Sequence, residues 1–140
     1  MRRRLILLSL AAAAAWPAFA AGKKDEEAEG ERAPYVDLDP VGLPVIFDGR
    51  LVNYVFTQVR LNLTPGADAP TLRAREPYFR DALVKAAYRT PFVVPGDGNR
   101  LDAAKLGRAM AVEAARIAGP GAIASVSVIA QAPKQRVSLR

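Results

Sequence analysis

The longest hydrophobic pattern in the chain runs from Leu51 to Leu63 and reads LVNYVFTQVRLNL. Its second half alternates. Val55, Val59, Leu61 and Leu63 fall on one face of an extended strand, with Gln58, Arg60 and Asn62 on the other. A period of two predicts a strand that turns one face to a core. The first half is apolar on both faces, because Tyr54 and Phe56 fall in line with Gln58 and Arg60. At about 3.3 Å per residue the run spans ~40 Å, far more than a typical strand. Either the strand bends near Phe56, or that end is covered on both sides.

Shorter patterns flank this run. YVDLDP is extended and ends at a proline, and LPVIF follows with Pro44 near its start. Asp48-Gly49 separates VIF from LVNYVF. An Asp-Gly pair between apolar runs predicts a two-residue hairpin, because that turn needs positive φ angles. LTPGADAP closes the long strand with turn residues. The period then changes. In REPYFRDALVKAAYR, Phe79, Leu83 and Ala86 recur at helical spacing, and Pro77 suits a first turn. Asp81 and Lys85 are placed to pair at i, i+4. TPFVV is extended and PGDGN is a tight loop. Asp102 is placed to cap a second helix, AAKLGRAMAVEAARIA, which buries Leu106, Met110 and Ile117 and stops at Gly119-Pro120-Gly121. The closing AIASVSVIAQA has period two, with Ala124, Val126 and Val128 on one side and Ser125, Ser127 and Gln131 on the other. The order predicts an α+β domain: a mostly antiparallel sheet with two helices packed on one face.

The N-terminus has a different pattern. Arg2, Arg3 and Arg4 precede the apolar run Leu5–Ala15, and Ala18-Phe19-Ala20 gives the small-x-small spacing that precedes a cleavage site. Residues 1–20 thus read as an export signal cut after Ala20, with Ala21 as the new N-terminus. The alternative is an uncleaved anchor, since Leu5–Ala21 just reaches the shortest membrane span of about 17 residues. Either way the rest of the chain is expected outside the cytoplasm, in the periplasm or anchored at the inner membrane facing it. The leading arginines are also weakly compatible with twin-arginine export. Residues 21–32, with the charged stretch KKDEEAEGER, have no apolar side chain larger than alanine and form a tether. Residues 33–140 are left for one domain, long enough to bury a core.

Composition limits the chemistry. The chain has neither histidine nor cysteine. Ser-His-Asp and Cys-His catalysis are excluded, as are zinc, iron and haem sites of the usual ligand types. An enzyme would need a carboxylate-only or Ser-Lys mechanism, so no enzyme and no cofactor is expected. The net charge is +6, of which three arginines leave with the signal; the tether is acidic, so the domain from Ala33 onward carries about +5. Its bases are scattered and not interleaved with aromatics, so no nucleic acid is expected as a partner.

Three places invite a functional interpretation. PGDGNR precedes a helix and could cradle an anion, but it has no P-loop Lys-Ser/Thr, and a plain turn explains it. Asp37 and Asp39 would share a strand face and could serve acid–base work or Ca²⁺; an exposed strand face explains them as well. Tyr54 and Phe56 either fill the core or form an exposed aromatic patch, which would mark a protein interface.

Taken together, YVDLDPVGLPV, VNYVFTQVRLNL, EPYFRDALVKAAYRTPF, LDAAKLGRAMAVEAARIAG and IASVSVIAQAP resemble, in order and spacing, the flagellar basal-body-associated FliL family. The resemblance covers about residues 33–133, and LDP (38–40) and PYFRDAL (77–83) are its most specific parts. It implies an α+β domain similar to that of stomatin-like ring-forming proteins, and no catalytic activity. It also implies self-association beside flagellar stator proteins at the inner membrane surface, with Tyr54 and Phe56 as candidate contacts. One departure stands out: the family keeps its N-terminal segment as a membrane anchor, whereas this segment has a cleavage pattern. A soluble periplasmic accessory protein with no flagellar role is the alternative.

Overall fold

The computed structural model describes residues 33–139. The signal-peptide and tether expectations, with Ala18, Ala20 and Ala21, lie outside the described residues. The fold is α+β. Its elements are β1 (Tyr35–Asp37), β2 (Val41–Phe47), β3 (Arg50–Leu63), α1 (Ala69–Ala74), α2 (Glu76–Arg89), β4 (Val93–Val94), β5 (Asp97–Leu101), α3 (Ala103–Ala118) and β6 (Ile123–Pro133).

β3 is the spine. It pairs antiparallel with β1 and β2 along one edge and with β6 along the other. β1 and β2 behave as one strand interrupted at Leu38–Pro40: Asp37 lies opposite Arg60 and Val41 opposite Thr57. The Asp48-Gly49 turn forms as expected. Phe47 pairs with Arg50, and the two turn residues have φ of 48° and 71°. β2 begins earlier than its sequence suggests, so Pro44 sits inside it, opposite Tyr54. An edge strand tolerates this, because a backbone N–H on its free side is not needed for the ladder.

The alternation of β3 holds along nearly its whole length. Val55, Thr57, Val59, Leu61 and Leu63 are buried. Phe79 and Leu83 of α2 and Leu106 and Met110 of α3 join them in one core. Three helices occur among the described residues where two were expected. The extra one, α1, starts in the last two residues of the stretch read as turn and runs on through Thr71–Ala74. Asp68 caps it by accepting from the Thr71 backbone and hydroxyl at 3.2 and 2.7 Å, Pro70 fits its first turn, and Leu72 anchors it in the core. The other caps are as expected. Asp102 accepts from the Lys105 N–H at 3.0 Å, and Gly119 ends α3 at φ 92°. Ile117 is only half-buried at the rim of the core.

β6 departs from its simple period. Gln58 lies opposite Ala130 and Val59 opposite Val128, so Ile129 is an extra residue; Ala124 is extra in the same way, between Ile123 and Ser125. Each bulge shifts the phase by one. Val126 and Val128 therefore face the core with Ile123, while Ala124 is exposed. Gln131 lies opposite buried Thr57, on the core side, and exchanges hydrogen bonds with the Leu101 backbone at 2.7 and 3.2 Å.

Candidate interaction surface

The helices pack against one face of β3, which leaves Tyr54, Phe56, Gln58, Arg60 and Asn62 on the other. This outer face divides into two ends.

The end near β1 is polar, and its groups satisfy each other. Arg60 donates two hydrogen bonds to the Asp37 carboxylate, at 2.6 and 2.8 Å. Its guanidinium carbon lies 3.9 Å from the Tyr35 ring centroid. The Arg60 hydrogen bonds hold the Asp37 carboxyl below its usual value, against the opposing effect of partial burial. The same bonds raise Arg60 further. Beside them Asn62 donates to the Ser125 and Ser127 hydroxyls, both at 2.9 Å.

The end near the Asp48-Gly49 turn is apolar and open. Phe56 is 47% exposed. It lies opposite Gly42 on β2 and Ala132 on β6. A Cβ placed on Gly42 would stand 3.5 Å from the Phe56 ring, so the ring rests on the glycine in ordinary contact. Ile129 and Leu51 are 47% and 50% exposed. Ile129 is the extra residue of the bulge between Val128 and Ala130, and it is left in solvent. Ala130 and Ala132 are exposed as well.

Tyr54 has a different environment. It lies opposite Pro44, and its hydroxyl meets the Tyr88 hydroxyl of α2 at 3.2 Å. That hydrogen bond raises Tyr88 above the ordinary tyrosine value. Lys134 Nζ stands 6.0 Å from the Tyr54 ring centroid. The pair proposed from sequence therefore splits: Tyr54 is half-buried and tied to a helix, and Phe56 is exposed. The strand does not need cover on both faces at this end, because Phe56 is left bare.

The two carboxylates do not converge. Asp37 is held by Arg60. Asp39 lies beyond the strand end, where its backbone N–H donates to Glu76 at 3.0 Å and its carboxylate lies 3.6 Å from Arg80. Among the described residues no group of three potential metal ligands occurs. PGDGNR is no helix-end cradle. Pro95-Gly96 turns β4 into β5, with Gly96 at φ 74°, and Asp102 itself occupies the N-terminus of α3. No helix among the described residues is long and apolar enough to cross a membrane.

Sequence reasoning missed Leu51 and Ile129. Leu51 was visible as part of the doubly apolar stretch. Ile129 falls on the Ser125–Ser127 side of the period-two pattern, but the bulge that contains it shows only in the register. Set against known proteins, the chain matches no family model, and neither a curated protein nor a solved structure matches it.

Proposed function

We propose that this chain is a non-enzymatic, FliL-like envelope protein that works by assembling with copies of itself, beside flagellar stator proteins at the inner membrane. The observation that carries the assembly is Phe56. An aromatic ring left nearly half bare, directly opposite exposed Ala132 and diagonal to exposed Ala130, on a sheet that also exposes Ile129 and Leu51, has the apolar and aromatic composition of an interface core. Aromatic residues in such patches are the usual energetic anchors.

The flagellar part rests on the resemblance, and one structural relation supports it. Its two most specific motifs meet in space. Leu38 and Phe79 share the core, the Asp39 N–H bonds to Glu76, and Arg80 reaches both Glu76 and Asp39 at 3.5 and 3.6 Å. LDP and PYFRDAL are thus two halves of one joint, which fixes the break between β1 and β2 against α2. That gives a physical reason for the two motifs to occur together.

The test is genetic. Deleting the gene should reduce spreading in soft agar, and the wild-type gene should restore it. A Phe56→Ser copy should reach the envelope in normal amount yet fail to restore motility. Unimpaired motility in the deletion strain, with the protein in the soluble periplasmic fraction, would favour the accessory protein with no flagellar role.

A further inference from the structure

Beyond Pro133 the chain leaves the sheet and lies along β5. Val137 and Leu139 are half-buried, and Arg136 and Ser138 between them are exposed, which is the alternation of an extended strand. Its seat is built for a backbone. The Asn99 side chain donates to the Val137 carbonyl and accepts from the Val137 N–H, both at 2.8 Å. A side-chain amide thereby stands in for the neighbouring strand of a ladder. Asn53, only 5% exposed, donates to the Gln135 carbonyl at 2.8 Å and the Gly98 carbonyl at 2.9 Å, and accepts from the Tyr54 N–H at 2.9 Å. Gly98 makes the room: a Cβ there would lie 2.5 Å from a Val137 methyl and 3.3 Å from Leu139.

Every group that grips the tail belongs to β3 or β5. Every group gripped lies after β6, from Lys134 onward, and Pro133 marks the hinge. None of these contacts requires tail and seat to come from the same chain. We infer that this groove is a docking site for residues 134–139 of a second copy, so that two chains join by exchanging the residues beyond Pro133. Exchange of an identical element is a low-cost route to association, because each new contact repeats one already made. What opposes it is the local concentration of the chain's own tail, on the order of millimolar for a short tether. Exchange therefore belongs to crowded copies. It does not depend on the outer face of the sheet.

Two variants of the full chain remove the competition from the chain's own tail. Gly98→Val blocks the seat and leaves an intact tail. Val137→Asp spoils the tail and leaves an open seat. Neither can exchange with itself. Mixed in equal amounts, they should form a heterodimer at least about tenfold tighter than either self-association, read by sedimentation. Circular dichroism of each variant checks folding, and Gly98→Ala with Val137→Ser repeats the test if either fails to fold. Phe56→Ser placed in both partners should leave the heterodimer intact. Folded variants that stay apart when mixed overturn the proposal, and so does a heterodimer that vanishes with Phe56→Ser, since the outer face would then have made it. Phe56→Ser in otherwise wild-type chains tests the outer face separately, so each idea can fail without the other.

Discussion

The two ends of the outer sheet face share one strand and differ in what they leave unsatisfied. Around Arg60 the polar groups pair with one another: Arg60 with Asp37 and the Tyr35 ring, and Asn62 with Ser125 and Ser127. Around Phe56 there is nothing to satisfy and nothing to cover the ring. Water solvates the first end at little cost, while the second exposes apolar area worth about 25 cal/mol per Å² if it were buried. A face that only had to be soluble could have continued the polar pattern of Gln58, Arg60 and Asn62 to the turn. On the proposed reading, contact falls to the apolar end and upkeep of the monomer to the polar end.

The largest effect should come from Phe56→Ser. Losing a central aromatic anchor typically costs about 2 kcal/mol of association or more, roughly thirtyfold. The monomer should keep its melting temperature, since the ring is half exposed and the core lies on the other face. A matching loss of monomer stability would mean that Phe56 is a packing residue.

Next comes Gly49→Val, at the turn that closes the apolar end. Gly49 has φ 71° with nothing within 4 Å of an added Cβ, so the penalty is purely of the backbone. About 1–2 kcal/mol of stability should be lost. Hydrogen exchange should quicken along Leu51–Phe56 before it does at Asn62, Ser125 and Ser127. Uniform loosening of both ends would show that they are not separable.

A smaller effect, at most about 1 kcal/mol of monomer stability, is expected from Asp37→Asn, because both side chains of its pair are about one-third exposed and screened by water. Association should not change. The sign of the pH dependence follows. The folded-state carboxyl is held below its ordinary value of 3.8, so its contribution is present above that value and lost as pH falls through the folded one. Acid melts of wild type and Asp37→Asn should therefore begin to approach each other below about pH 3.8 and meet only once pH has fallen past the lowered folded-state value.

The smallest effect concerns Tyr54. Tyr88→Phe removes a solvent-exposed hydroxyl pair and should leave monomer stability nearly unchanged. It should also remove a tyrosine step raised above the ordinary value from an ultraviolet titration, because the Tyr54 hydrogen bond raises Tyr88. A large loss of association in this variant would move the contact from Phe56 towards Tyr54.

Much of this architecture can be read from the sequence, because local rules and packing agree. Asp48-Gly49, the Phe79–Leu83–Ala86 stripe and the Asp102 cap each declare themselves within a few residues, and each forms. What stays hidden depends on pairing. Ile129 and Ala124 become extra residues only when β6 meets β3, and their types do not announce it. α1 is short, and its signature of Asp68, Pro70 and Thr71 is also that of a turn. The tail seat joins Asn53 to Gly98 and Gln135, 45 and 82 positions away. Its single trace is an asparagine inside an apolar run. The surface around Phe56 lay between these cases: the doubly apolar end of β3 was visible, but only the fold decided which rings were covered.

Sedimentation of the chain over a range of concentrations, with Phe56→Ser and Asp37→Asn beside it, tests the division of labour most directly. Wild type and Asp37→Asn should gain mass together as concentration rises, and Phe56→Ser, with an unchanged circular dichroism spectrum, should stay monomeric at every concentration well below the roughly millimolar range in which tail exchange competes. A wild-type chain that remains monomeric at every concentration, or a Phe56→Ser chain that assembles as wild type does, would contradict it.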